Sequence, residues 1–517
     1  MRINNFLKET FYGENATPLP IGICVVLYVL ILFNGMVTTN LSSYLPQLVK
    51  SFNITEVDTG KYAGFVSSAL PVTRVFSSTF WGFICDKYGR KLSLLSAGSG
   101  LTIATFMFGF SFNIIWAVMT RSMQGIFMGV IIIGRSIIAD ISDDTNLSTG
   151  LSITVSAMNM GYILGPSMAG FLVFPTEKYP NVFKKGTFFD KCKVFLPNFI
   201  IAMGMLISLM ITFFLLPKNK KEDIGIAEPE NKPLNTNINR SVGGEGCIEE
   251  PSISEKTPLL TEKREKPFQF YFSMFTKSKY RRMVNKKFFL SLTLYGLFSL
   301  ITVGYDDLMP VFAATPDNFH GLSMNTSDIG LLYLLTGVSM IVIQFLIINR
   351  LMNRFGAKKI FCVSNLLFSA FVFLLPTSGM IKNRKALWVA LWIFNCLVRS
   401  THSAAILSCN VFVSNSVQPE FLGLANGLGL SFASIGRATG SVIFGQAYSW
   451  SMKNLKNQLT LHKAVYFPVN EYFAFTLMSV SALFVLSLGT ILPKSIDKKF
   501  CSPSLSQEHE MEKKVKV

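Results

Sequence analysis

Twelve apolar runs of about 20 residues or more divide the chain, each long enough to cross a hydrocarbon core of about 30 Å as a helix. They fall near 20–45, 62–84, 92–112, 114–137, 150–174 and 194–216, then near 288–314, 329–349, 360–381, 386–410, 421–447 and 472–493. Nothing else in the chain restricts its fold so strongly. In lipid every backbone polar group must be bonded within the segment, so runs of this length predict helices, and the chain reads as an all-α membrane protein with twelve transmembrane helices.

The stretch 217–287 is different. It is rich in Lys, Glu, Pro, Asn and Ser, with too little apolar surface to offset the entropy of ordering, and reads as a disordered cytosolic linker. The expected organisation is a cytosolic tail 1–19, a six-helix bundle 20–216, the linker 217–287, a second six-helix bundle 288–493 and a cytosolic tail 494–517. The first run, about 25 residues, is too long for the core of a cleaved signal peptide and reads as a retained span.

Composition agrees. Of the 517 residues 50% are hydrophobic and only 15% charged, against about 25% charged in soluble domains. The net charge of +18 does not point to nucleic acid, because the basic residues lie between apolar runs, as they do where loops are held on the cytoplasmic side. Of eight cysteines only Cys192 falls in a loop expected outside the cytosol, which leaves no disulfide framework.

The halves repeat each other. Gly161, Gly165 and Gly170 in the fifth run have the spacing of Gly436, Gly440 and Gly445 in the eleventh, and Arg121-Ser122-Met123-Gln124 in the fourth is echoed by Arg399-Ser400-Thr401-His402 in the tenth. Pseudo-symmetric parallel halves of this kind form transporters that rock around a site near the bilayer midplane.

Three segments add chemistry. Gly82, Asp86, Lys87, Gly89, Arg90 and Lys91 follow the second run: glycine for close helix approach, a carboxylate to pair across a gap, and a basic run held at the cytoplasmic face, the combination that suits a latch between halves. Its counterpart, Asn353-Arg354-Phe355-Gly356-Ala357-Lys358-Lys359, has Asn where the carboxylate would stand. Arg121 lies inside a span, where an ionised guanidinium costs about 2.5–3.5 kcal/mol unless it faces protein or water. Gly161, Gly165, Pro166 and Gly170 strip one helix face of side chains and add a helix breaker.

These segments resemble signatures of the major facilitator superfamily. The first matches its loop motif G-x-x-x-D-[RK]-x-G-[RK]-[RK] at every listed position, Arg121 to Gly125 is similar to its fourth-helix motif, and the Gly-Pro string to the fifth-helix motif of its antiporters, with Ala169 in place of one glycine and Ser441 in place of the proline in the second half. The resemblance implies the major facilitator fold, a proton-coupling role for Arg121, and antiport. Within the superfamily, Tyr62 to Val66, Phe80 to Lys91 and Pro175 to Phe183 look most like the zinc-induced facilitator-like branch, associated with proton-coupled export of small organic solutes, including a metal chelator. The Cys-Pro-Gly-Cys and His motifs of the plant members are absent, and His320, His402, His462 and His509 are too dispersed to suggest a metal site.

Asp306 and Asp307 are the acids found inside an apolar run, and a carboxylate there can load and release a proton. Adjacent residues on a helix point about 100° apart, so one of the two is expected to face a cavity. Against them stand Arg74, Arg121, Arg399 and Arg437, with His402 able to titrate; guanidinium recognises carboxylate with two hydrogen bonds, so the cargo is expected to be an organic anion or zwitterion. Asn34, Gln124, Asn159 and Gln344 are further polar candidates for substrate binding, each also able to tie neighbouring helices.

The expectation is therefore a monomeric secondary active transporter exchanging protons for a small organic anion or zwitterion, with no cofactor, no metal and no enzymatic chemistry. A facilitative uniporter and a non-transporting receptor or scaffold are the alternatives. In the linker, Glu255, Leu259 and Leu260 resemble an acidic dileucine signal read by cytosolic sorting adaptors, which implies lysosomal, vacuolar or endosomal delivery, with the plasma membrane as the alternative. Asn53 and Asn325 head glycosylation sequons in loops expected outside the cytosol.

Overall fold

The computed structural model describes residues 19–142, 146–216, 285–418, 422–461 and 470–497. Residues 1–18 and 498–517, most of the linker with Glu255, Leu259 and Leu260, and His462 and His509 lie outside the described residues; so does the side chain of Asp86.

The fold is two bundles of six long helices. The first contains α1 (Ile21–Ser43), α2 (Thr59–Tyr88), α3 (Arg90–Phe108), α4 (Ile114–Ile141), α5 (Leu147–Leu172) and α6 (Phe195–Leu215). The second contains α7 (Lys286–Ala314), α8 (Thr326–Met352), α9 (Ala357–Met380), α10 (Arg384–Asn415), α11 (Leu422–Thr460) and α12 (Tyr472–Ile491). Among the described residues nine of these are long and apolar enough to cross a membrane by composition alone; α2, α5 and α11 complete the twelve, and their lower hydropathy reflects small and polar residues that face other helices instead of lipid.

Two spans are locally irregular, each for a visible reason. In α4 the helix breaks at Phe127–Gly129, and the indole Nε1 of Trp81 donates to the Ile126 carbonyl oxygen at 2.8 Å, supplying the bond the break removes. In α8 a π-turn spans Gln344–Ile348, and Ser403 of α10 donates to Gln344 Oε1 at 2.7 Å. α11 runs on past the expected end near 447 to Thr460; its 39 residues extend about 58 Å, well beyond the hydrocarbon core.

The repeated glycines do the same work in both halves. A methyl group at Gly161 would lie 2.2 Å from the Leu32 carbonyl oxygen of α1, and one at Gly440 would lie 2.1 Å from the Leu300 carbonyl oxygen of α7. The third glycine of each set faces the opposite bundle: Gly170 meets Gly330 of α8, and Gly445 meets Gly60 of α2.

The two basic loops are also equivalent. Gly89 (φ 89°, ψ 162°) and Gly356 (φ 80°, ψ 158°) share a backbone conformation that a side chain would strain. Two residues on, Lys91 donates to the Leu216 carbonyl oxygen and Lys358 to that of Leu492, so each lysine caps the last helix of its own bundle. Arg90 Nε pairs with Asp140 Oδ2 at 2.7 Å, again inside the first bundle. Arg90 and Lys91, expected to latch one half to the other, here bond to the ends of α4 and α6 in their own bundle.

Candidate functional site

The side on which α6 ends and α7 begins is called the linker side, and the opposite side the far side. On the far side the bundles are sealed against each other. Backbones of α2 and α11 touch where Gly60 meets Gly445 and Gly64 meets Ser441, and those of α5 and α8 touch at Gly170 and Gly330. Polar contacts reinforce the seal: Lys50 Nζ donates to the Ala314 carbonyl oxygen at 3.2 Å, the Lys61 amide to Ser449 Oγ at 2.7 Å, and Ser327 Oγ to the Gly170 carbonyl oxygen at 3.4 Å. Outside the bilayer Lys453, on the extension of α11, pairs with Asp58 at 2.7 Å, and this hydrogen-bonded ammonium holds the Asp58 carboxyl below the usual carboxylate range. With the bundles joined there, the structure is closed on the far side.

Asp307 sits inside this seal. Its Oδ1 accepts from Ser67 of α2 at 2.8 Å and its Oδ2 from Ser441 of α11 at 2.5 Å, so one carboxylate takes a hydroxyl from each bundle. Beside it lies a cavity of about 10 Å³, room for one water, lined by Gly60, Gly64, Gly304, Ser441 and Gly445. Asp306, the next residue, points into the second bundle instead. Its Oδ1 lies 3.0 Å from Arg399 Nη2, and the Arg399 guanidinium stacks 4.8 Å from the centre of the Tyr333 ring. The two acids therefore divide their roles, one between the bundles and one within a bundle.

Arg121, the first-half counterpart of Arg399, has no such acid beside it. Its Nη1 donates to the Val37 carbonyl oxygen at 2.8 Å and to Gln124 Oε1 at 2.7 Å, and its Nη2 to the Thr38 carbonyl oxygen at 2.9 Å. The burial cost is met by three neutral acceptors. Gln124 and Asn34 are fully buried, Asn34 Nδ2 donating to the Met128 sulfur at 3.1 Å; they lie in helix contacts of the first bundle, and the structure does not bring them together with the arginines of the second. Gln344 begins the π-turn and accepts from Ser403, and Asn159 is exposed on α5.

A second group gathers nearer the linker side. Arg74 is buried on α2; Gly436 of α11 meets Gly296 of α7, which sets Arg437 beside the level of Tyr295, and Tyr162 of α5 packs into the cluster that holds Ile131 and Ile132 of α4, about one turn before Arg135. Tyr295 lies against Gly429 of α11 and precedes Asp307 by about 18 Å of helical rise. His402 lies within one turn of Arg399 on α10, its ring 6.0 Å from that of Phe298 of α7. Ser67, Arg135, Tyr162 and Tyr295 were not singled out from the sequence. Arg135 lies near the end of its span, where a basic residue ordinarily marks an interface, and a serine in a helix rich in small residues carries no signal until the facing helix is known.

The site is thus a set of ionisable groups in and between the two bundles, and among the described residues no group of side chains is able to hold a metal. Over 442 residues the chain is 25% identical to a probable peptide/nitrate transporter of Arabidopsis thaliana, covering 84% of each. Over 437 residues it is 25% identical to the Arabidopsis protein ZINC INDUCED FACILITATOR 1, covering 83% of this chain and 84% of that one. Its fold is similar to a bacterial homologue of the human lysosomal transporter Spinster, solved in an inward-facing, occupied conformation, with TM-score 0.64, 14% identity and coverage of 95% of this chain and 100% of that one. The family profile described as Major Facilitator Superfamily matches residues 27–345 and 296–495, and with two six-helix bundles enclosing these groups the chain belongs to that superfamily: it is a membrane transporter, not an enzyme.

Proposed function

We propose that the protein exchanges protons for a small organic anion or zwitterion by alternating access, and that Asp307 is the proton-coupling residue. The observation that carries this reading is the carboxylate shared by Ser67 and Ser441 inside the far-side seal. An ionised carboxylate is acceptor-only and satisfies both hydroxyls. Once protonated, one of its oxygens becomes a donor, and one of the two serine bonds is lost or reversed. Proton binding thus loosens a tie between the bundles, and proton release remakes it. A proton taken from the far side favours the open seal; when the seal closes, the proton leaves toward the linker side, and the serines hold the charge left behind. The work of the gradient enters as a change in the relative free energy of two conformations.

The test is pH-gradient-driven uptake into vesicles with Asp307→Asn. Gradient-driven accumulation is expected to disappear while exchange down a substrate gradient persists. Accumulation unchanged in this variant would remove the proton role and return the protein to the facilitative reading.

The acidic dileucine string Glu255, Leu259, Leu260 supports delivery by cytosolic adaptors to a lysosomal, vacuolar or endosomal membrane, a compartment that supplies the proton gradient. Leu259→Ala with Leu260→Ala is expected to redistribute the protein to the plasma membrane; an unchanged distribution by microscopy would discard the signal.

A further inference from the structure

We propose that Asp306 and Arg399, with Tyr333, form the substrate site, and that it takes a compact zwitterion, a carboxylate and an ammonium carried one or two carbons apart. The inference rests on the reading of the protein as a carrier of an organic anion or zwitterion and decides between the two.

Three helices meet at this point. Arg399 Nη2 of α10 lies 3.0 Å from Asp306 Oδ1 of α7, the guanidinium stands 4.8 Å from the centre of the Tyr333 ring of α8, and the Tyr333 hydroxyl donates to the Asp306 carbonyl oxygen at 3.4 Å. Arg399 is midway along α10, near the depth at which carriers built of two halves hold their cargo. The pair is not sealed there: the side chains of Arg399 and Asp306 are 22% and 29% exposed. Charge turned to lipid at this depth is expensive, and the packing of α8 places the pair elsewhere. Tyr333 stands between Gly330 and Gly337, and both glycines meet α5 of the other bundle, Gly330 at Gly170 and Gly337 at Ile163. The pair therefore borders the space between the bundles, which, with the far side joined, opens toward the linker side.

The charge of the cargo follows from the pair itself. An anion bound to Arg399 alone displaces Asp306 and strands a carboxylate in low dielectric; a cation bound to Asp306 alone strands the guanidinium. A zwitterion satisfies both at once, its carboxylate on Arg399 and its ammonium on Asp306. The charged centres of an α-amino acid stand about 3 Å apart, which matches the spacing of Nη2 and Oδ1. Arg121, the counterpart in the first bundle, bonds to two main-chain carbonyls and a glutamine and offers no acid for an ammonium. Asp307, the next residue, carries the tie to Ser67 and Ser441, so cargo and proton meet within one turn of α7, where occupancy at one residue biases the other.

The experiment follows thermal unfolding of the purified full-length protein in detergent, at fixed pH and ionic strength, with the common α-amino acids as probes and propionate and ethylamine, each bearing one of the two charges, as controls. At least one amino acid is expected to raise the midpoint by about 2 °C or more where propionate and ethylamine, alone or together, do not. Asp306→Asn and Arg399→Gln should each weaken the response about tenfold or more, Arg399→Lys less, and Lys453→Gln on the far-side exterior not at all. The double variant Asp306→Asn with Arg399→Gln separates binding from folding, because it removes both charges and strands neither: it should unfold near the parent midpoint and show no response. No amino-acid shift up to roughly tens of millimolar, an equal shift from propionate or ethylamine, or a response that survives in the double variant would overturn the proposal. No gradient enters the measurement, so the two readings fail separately. Loss of drive in Asp307→Asn with the amino-acid response intact supports both; a missing response with gradient-driven flux preserved removes only the site.

Discussion

Arg121 and Arg399 occupy equivalent places in the fourth helix of each bundle, in copies of one sequence, yet their charges are held in opposite ways. Arg121 is embedded among neutral acceptors, two of them main-chain oxygens of α1, and serves as a brace between α1 and α4. Arg399 faces an acid and an aromatic ring, so its charge is cancelled by a carboxylate instead of being shared among neutral dipoles. A duplicated residue has thus become a fixed strut in one bundle and half of an ion pair in the other. Helix position determines that an arginine is present; the neighbouring helices determine whether its charge is available to the transport cycle.

The comparison predicts a graded series. Arg399→Gln leaves Asp306 without its cation and should cost about 3 kcal/mol, read as a lowered unfolding midpoint, whereas the double variant with Asp306→Asn should return to within about 1 kcal/mol of the parent. Failure of the double variant to recover would mean that the pair is not the principal partner of either group. Arg121→Gln removes three hydrogen bonds and should cost about 2 kcal/mol. Neither Asp306→Asn nor Asp307→Asn should rescue it; rescue by either would show that Arg121 belongs to an ion pair after all, and the contrast between the bundles would collapse.

Arg399→Lys preserves the charge opposite Asp306 but loses the flat stacking over Tyr333, for an expected cost of about 1 kcal/mol with gradient-driven transport largely retained in vesicle assays. Lys453→Gln tests an exposed pair against these internal ones and should cost about 0.5 kcal/mol. Its pH dependence has a definite sign. Asp58 has its carboxyl lowered in the folded protein, so the contribution of this pair is complete above the ordinary carboxylate pKa and fades as pH falls through the lower folded value. The clasp therefore remains closed at mildly acidic pH, and a midpoint difference between parent and variant that vanished already near neutrality would contradict the pairing.

Much of this fold is legible in the sequence because lipid imposes a single local rule, and twelve runs obey it. The glycine spacings and the loop glycines Gly89 and Gly356 are legible too, since each position tolerates almost no side chain. The far-side extension of α11 is not: beyond the bilayer its residues are those of an ordinary polar helix, and hydropathy stops reporting. The site was legible only as a set of costs. Asp306, Asp307 and the arginines stand out because they are expensive in lipid, but expense does not name the partner. That Asp307 turns to Ser67 and Ser441 while Asp306 turns to Arg399 depends on which helices face α7, and that is known only once the bundles are assembled.

The modest hydropathy of α2, α5 and α11 has a consequence for how the protein is made. The seam of small and polar residues that lets one bundle move against the other also makes these three segments the most reluctant to leave the translocon for lipid individually. Their insertion has to draw on neighbours already in place, so biogenesis and transport press in opposite directions on the same residues, and a substitution that eases membrane entry here does so by greasing a surface the carrier needs to keep bare.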